Sequence, residues 1–104
     1  MADSLTRAYK KVGSKLIDAA LERGYTLSLV DGESTVVRKS NDAKRLKSHL
    51  CSTDEDILVV YNLSGDHIGH IYLMYGNAVE ETIFDYTWNP LIEALVATVR
   101  SDER

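Results

Sequence analysis

The sequence predicts an α+β domain in which helices pack on an antiparallel sheet of about five strands, in the order α-β-β-α-β-β-β-α. Three observations lead to this prediction: helical spacing of apolar residues near both ends, runs of β-branched and aromatic residues between them, and short turns joining those runs. Such turns cannot hold parallel crossovers, so the strands should be antiparallel. We expect one domain over 1–104, with 101–104 as a frayed tail.

The first predicted element is an amphipathic helix. Apolar residues recur at alternating intervals of four and three, at Leu5, Tyr9, Val12, Leu16 and then Ala19 or Ala20. Asp3 or Ser4 can cap its start, and Gly24 should end it near Arg23, because glycine most easily adopts the left-handed conformation that ends helices.

A hairpin is expected next. Apolar and polar residues alternate from Tyr25 to Val30, and a second run extends from Ser34 to Arg38. Asp31-Gly32 joins the two runs and accepts the backbone angles of a tight turn.

A short second helix should follow, capped by Ser40, Asn41 or Asp42 and apolar at Ala43, Leu46 and Leu50. Its other side and the preceding strand form a basic face, made of Arg38, Lys39, Lys44, Arg45 and Lys47. The density of these basic residues makes nucleic-acid binding an alternative prediction. It is not the preferred one, because no aromatic residues are interleaved with these bases and the formal net charge of the chain is −4. The preferred prediction is a solvated face that pairs with acidic residues of the second half.

Three strands and a last helix complete the prediction. The runs Ile57 to Leu63, Ile68 to Tyr75 and Thr82 to Thr87 are separated by turn residues at 64–66 and 76–77, which indicates an antiparallel meander. Asn89-Pro90 is typical of a helix start, and apolar spacing continues to Val99. The middle strand is apolar on both sides. We expect the remaining helix to cover its second side, with a dimer or partner surface as the alternative.

Charge is divided unevenly along the chain. No lysine or arginine occurs between Lys47 and Arg100, whereas eight carboxylates do, and the segments before and after Ser52 carry formal charges of +4 and −8. The second segment should therefore present an acidic surface that attracts a basic protein partner. The residues predicted to form it are Glu80, Glu81, Asp85, Tyr86 and Trp88, with the loop residues Asp54, Glu55 and Asp56.

Trp88 has two interpretations. It can staple the last helix to the sheet, which is the preferred prediction, or stand exposed as an interface anchor. The loop residues Thr53 to Asp56 lack the glycine and distal glutamate of a calcium loop and are expected to be a solvated turn.

No catalytic, metal or cofactor motif is predicted. His67-Ile68-Gly69-His70 spells a nucleotidyltransferase signature, but it falls in a predicted strand without a surrounding parallel α/β pattern. Residues i and i+3 of a strand point to opposite sides, so this pair should not share a metal, and His49 is remote in sequence. Cys51 cannot face His49 on a helix and is expected to pack at the helix end. A lone cysteine and the lack of a long apolar run favour a soluble cytoplasmic protein.

One stretch carries a resemblance. Between Leu58 and Leu95 the chain has the run Ile71-Tyr72-Leu73-Met74-Tyr75-Gly76-Asn77, then Asp85-Tyr86-Thr87, and then Asn89 opening a helix. This order is similar to that of small uncharacterised accessory proteins of tailed bacteriophages. The resemblance covers about the last two-thirds of the chain and implies a small binding protein in a bacterial cytoplasm.

The functional expectation is a non-enzymatic acidic binding protein, a phage-encoded inhibitor of a host defence or nucleic-acid enzyme, which acts through protein contacts. A homodimer is expected rather than a monomer. The alternative is a small-ligand or nucleotide-binding regulatory domain or a minor hydrolase. That alternative would require a pocket between helices and sheet that holds His67 or His70 with a carboxylate.

Overall fold

The computed structural model describes residues 2–76 and 78–102, and these form three helices and a five-stranded antiparallel sheet. The predicted α+β class is confirmed. In chain order the elements are α1 (Ala2–Glu22), β1 (Thr26–Asp31), β2 (Ser34–Ser40), α2 (Ala43–Ser48), β3 (Glu55–Tyr61), β4 (His67–Met74), β5 (Ile83–Tyr86) and α3 (Pro90–Asp102). A short 3₁₀ turn, Val79–Glu81, precedes β5.

The helix ends follow the sequence signals closely. Gly24 adopts a φ of +83° just after α1, as a left-handed helix end requires. Asp42 caps α2, because its carboxylate accepts from the Arg45 amide at 3.2 Å, and Asn89 caps α3 by accepting from the Ile92 amide at 2.9 Å. The helix α1 begins earlier than predicted, so Asp3 and Ser4 lie within it.

Two predicted features lie partly outside the described residues. Asn77 of the predicted turn at 76–77 is one, and Glu103 and Arg104 of the predicted tail are the other. Ser101 and Asp102 belong to α3, so the helix continues into the segment predicted to fray.

The sheet has the strand order β2-β1-β3-β4-β5. The predicted hairpin β1–β2 and meander β3–β4–β5 are both present, and they are joined by antiparallel pairing of β1 with β3. The strand β2 and the strand β5 are therefore the two outer strands. The basic and acidic segments of the sequence supply opposite edges of one sheet.

The core lies on one side of this sheet. Leu58 and Val60 of β3 are buried, as are Leu29 of β1 and Ile71 of β4, the register partners of Leu58. All three helices pack on this side and on one another, with α1 between α2 and α3.

The other side of the sheet is not covered by any described helix. In β3 the residues alternate between fully buried and half-buried along the whole strand, which is the pattern of a sheet with a single packed face. The prediction that the remaining helix covers the second side is wrong, because α3 packs beside α1 instead. None of the described helices is long and apolar enough to cross a membrane.

Candidate functional site

The outer strand β5 and the residues beside it form an exposed surface that combines carboxylates with large aromatic side chains. We call this surface, made of Glu80, Glu81, Phe84, Asp85 and Trp88, the acidic edge. Phe84 is 61% exposed and Trp88 is 84% exposed, and the three carboxylate residues are exposed as well. The strand β5 pairs with β4 on one side only among the described strands, so its outer backbone groups face solvent.

Trp88 does not staple α3 to the sheet, because a stapling side chain would be covered. Phe84 is a member of the acidic edge that sequence patterning missed. It lies at an irregularity in the β4–β5 register, where Leu73 pairs with Ile83 but Tyr72 pairs with Asp85. This bulge interrupts the alternation that, counted back from Tyr86, would otherwise turn the Phe84 side chain toward the core.

Tyr86 was predicted to contact a partner, yet it packs within the chain. Its ring lies 5.8 Å from Cζ of Arg100 on α3, a cation–π contact, and the side chain is half-buried. Arg100 is also part of the lining of two shallow grooves beside β5. One has a volume of about 400 Å³ and the other about 350 Å³. Neither groove is lined by a histidine.

Asp56 was predicted to lie in a solvated acidic loop, and this is wrong. The residue belongs to β3, points to the packed side of the sheet and is 0% exposed. Its Oδ2 accepts from the Tyr75 hydroxyl at 2.6 Å and from the Cys51 amide at 2.9 Å, whereas its Oδ1 has no partner among the described residues. Burial raises the pKa of this carboxyl, and the hydrogen bond from Tyr75 opposes the rise. Of its neighbours, Asp54 is exposed and Glu55 is half-buried.

Asp56, Tyr75 and Cys51 form a hydrogen-bonded cluster, which anchors the segment that joins α2 to β3. Cys51 has a φ of +63°, a conformation that non-glycine residues rarely adopt, and the bond from its amide to Asp56 stabilises it. Burial raises the pKa of the Cys51 thiol, and burial together with the hydrogen bond to Asp56 raises the pKa of the Tyr75 hydroxyl far above its ordinary range. Both groups therefore stay protonated at neutral pH, which makes Cys51 a weak nucleophile.

The basic face lies at the opposite edge of the molecule, on β2 and α2. Four strand intervals of about 4.8 Å separate β2 from β5, or about 19 Å in all. Lys47 pairs with Asp18 of α1 at 2.8 Å. Within 2–76 and 78–102, no ion pair joins this face to a carboxylate of the second segment, so the predicted pairing of the two segments is wrong.

Lys39 also contacts an aromatic ring, which the sequence did not indicate. Its Nζ lies 4.7 Å from the centre of the Tyr61 ring. The strand β1 pairs with both β2 and β3, which brings Lys39 of β2 within reach of Tyr61 of β3. Arg38, Lys44 and Arg45 are exposed.

The uncovered side of the sheet is the second candidate surface. We call it the open face and define it by Val30, Ile57, Val59, Tyr61, His70 and Tyr72. These side chains stand in adjacent strands and are half-buried by one another. The His70 and Tyr72 rings meet edge to face at 5.4 Å.

His67 belongs to the same side as His70, against the prediction. Gly69 pairs with Val60 but His67 pairs with Tyr61, so Ile68 is an extra residue that shifts the alternation by one. The His67 ring lies 6.0 Å from the Tyr61 ring. In the part of the chain that the structure describes, no group of three histidine, cysteine, aspartate or glutamate side chains could hold a metal ion.

Comparison of the chain with models of protein families, with curated proteins and with solved structures found no match.

Proposed function

We propose that this protein is a non-enzymatic binding protein that recognises a basic protein partner through its acidic edge. The observation that carries the proposal is the exposure of Phe84 and Trp88, 61% and 84%, along one outer strand that also displays carboxylates. Glu80 and Glu81 precede β5 and line a groove with Phe84, Asp85 lies within β5, and Trp88 follows its last residue. Tryptophan supplies much of the binding energy at protein interfaces, because its large flat side chain buries a large apolar area while few rotatable bonds lose their freedom.

The carboxylates along the acidic edge would act mainly on the rate and selectivity of association. They attract a positively charged partner over a distance set by ionic strength and repel acidic competitors. The free outer side of β5 offers a further mode of contact, since a partner strand can pair with its backbone. The aromatic residues would then hold the partner after the charges have guided it.

The resemblance to small phage proteins narrows the proposed partner. We infer a host defence protein or nucleic-acid enzyme in the bacterial cytoplasm, and the chain would act as its inhibitor. Enzymes of that kind carry basic grooves that hold phosphates, and such a groove is complementary to the acidic edge.

The hydrolase or small-ligand alternative receives less support. The one cysteine has a raised pKa, and the grooves beside β5 are lined by no histidine. A site for acid–base chemistry needs a titratable side chain, such as a histidine, in a cleft next to its substrate.

Capture from a bacterial lysate at low salt, followed by purification of the retained protein, tests the proposal. Trp88→Ala should weaken binding of that protein by about 10-fold or more, with little change in thermal stability, because the side chain makes few contacts within the chain. Leu63→Ala is the matched control, since Leu63 is 85% exposed but lies in the β3–β4 turn away from the acidic edge.

The salt dependence completes this experiment. The dissociation constant of the wild-type complex should rise with ionic strength. Absence of any retained protein at low salt, or equal loss of binding in the Trp88 and Leu63 variants, would show that the acidic edge is not the binding surface.

A further inference from the structure

No element within residues 2–76 and 78–102 covers the open face, although this face runs through the middle of the sheet. Its centre is β3, where Ile57 stands between Val30 of β1 and Tyr72 of β4, and Val59 stands between Ser28 of β1 and His70 of β4. A sheet face of this composition is typical of a surface that packs against another layer, because exposed apolar neighbours gain by leaving water together.

We propose that the open face is the interface of a symmetric homodimer in which the sheets of two copies stack face to face. In this dimer β3 of one copy lies across β3 of the other, since β3 is the middle strand of five. Face-to-face sheets normally cross at a small angle of about 30°, which keeps the two central strands in contact.

The charge distribution selects the orientation of the second copy. A twofold axis parallel to the strands reverses the strand order of the second copy, so β2 of each copy lies over β5 of the other. Lys39 reaches the open side of β2, over Tyr61, and Asp85 reaches the open side of β5, in register with Tyr72. Basic and acidic edges then face each other twice, which favours association. An axis across the strands would place like charges together.

The area of the open face fits a dimer of moderate stability. Five strands about 4.8 Å apart and about 20 Å long give a projected area of roughly 500 Å² on each copy, and side chains that stand up from it add accessible area. The two copies together would therefore bury on the order of 1,200 Å², the lower limit of stable specific interfaces. Glu80 and Glu81 stay free in this dimer, because the 3₁₀ turn that holds them packs against α1 on the helical side.

Sedimentation equilibrium of the full chain tests the dimer. We expect a concentration-dependent mass that approaches twice the 11.6 kDa of one copy in the micromolar range. Val59→Lys, which places a charge at the centre of the open face, should raise the dissociation constant about 100-fold or more while the variant stays folded by circular dichroism. Leu5→Lys is the control, because Leu5 is 53% exposed on α1 in the helical layer.

A charge exchange tests the orientation. Lys39→Glu and Asp85→Lys should each weaken the dimer several-fold at low salt. The double variant should recover most of the affinity, because positions 39 and 85 then again carry opposite charges at both contacts between the copies. Two losses that simply add would overturn the proposed orientation.

Two other outcomes overturn the dimer itself. One is a single-copy mass at every concentration up to the millimolar range. The other is binding of a fluorescent oligothymidylate that Tyr72→Ala abolishes, together with a single-copy mass, which would assign the open face to single-stranded nucleic acid.

Discussion

Asp56 is the residue whose environment differs most from what its sequence neighbours suggest. In sequence it is the last of three consecutive carboxylates, yet Asp56 is buried, whereas Asp54 is exposed and Glu55 is half-buried. The strand begins two residues earlier than predicted, and a side chain that faces solvent in a loop faces the core in a strand. Tyr75, its hydrogen-bond partner, is 19 residues away, so sequence spacing alone could not indicate the pair.

The buried carboxyl makes stability depend on pH in a definite direction. Its pKa is higher in the folded chain than its ordinary value of 3.8, so the folded chain holds this proton more tightly than the unfolded chain. The contribution of Asp56 to stability is therefore complete below pH 3.8 and is lost as the pH rises through the folded value. Asparagine does not titrate. We expect the free energy of unfolding of Asp56→Asn to increase relative to wild type as the pH rises from 4 to 8.

Urea unfolding followed by circular dichroism measures this difference, because Trp88 is already exposed in the folded chain and its fluorescence would report little. Asp66→Asn is the control, an exposed carboxylate in the β3–β4 turn, and should show a smaller change. A difference between Asp56→Asn and wild type that stays constant across this range would contradict the assignment.

At the scale of the elements, the helices and strands follow the sequence signals, whereas the irregularities in the strands do not. Caps, turn glycines and apolar spacing are local, so α2, α3 and the β1–β2 hairpin lie close to their predicted bounds. Bulges depend on the partner strand and on what packs above it. The extra residue Ile68 brings His67 beside Tyr61, and no pattern within β4 alone predicts that.

Gly69 shows how closely α3 approaches β4 next to this bulge. A Cβ atom on Gly69 would lie 2.8 Å from Cγ1 of Ile92 and 2.9 Å from Cβ of Thr87. Gly69→Ala should therefore destabilise the protein by about 1 to 3 kcal/mol, because the backbone and two packed side chains must shift. That change corresponds to a fall in Tm of roughly 5 to 15 °C.

Gly13→Ala is the contrast within α1. Its Cβ would lie 2.9 Å from Cδ1 of Leu50, the end of a flexible side chain. Alanine is about 1 kcal/mol better than glycine inside a helix, which offsets much of the crowding. Thermal unfolding of both variants checks the prediction, and an equal or larger fall in Tm for Gly13→Ala would be evidence against close packing at Gly69.

At the scale of the whole molecule, the uneven charge of the sequence becomes a separation in space. Composition indicated two segments of opposite sign, but not where they would lie. The strand order decides this, because β1 pairs with β3 and leaves β2 and β5 as the outer strands. The prediction of an acidic surface could be made from the sequence, whereas the open face depends on where α3 packs.

The position of the carboxylates should matter more for binding than their number. Glu80→Lys with Glu81→Lys should slow association with the captured partner about 10-fold at low salt, flatten its salt dependence and leave Tm nearly unchanged, since exposed carboxylates contribute little to folding. Glu22→Lys with Glu33→Lys changes the net charge equally at exposed positions outside the acidic edge. Surface plasmon resonance of both variants checks the prediction, and equal slowing in the two would mean that only net charge matters.

Pairing of β1 with β3 also sets the order in which the protein can fold as it leaves the ribosome. Residues 1–50 contain α1, the hairpin and α2. Within the hairpin β1 pairs with β2, but Leu27 and Leu29 of β1 lack their partners in β3 until that strand has been synthesised up to Tyr61. A nascent chain therefore carries an unpaired apolar strand edge during synthesis of the segment that precedes β3. The residues before Ser52 carry a formal charge of +4, and this like charge would repel neighbouring nascent segments until β3 emerges to complete the sheet.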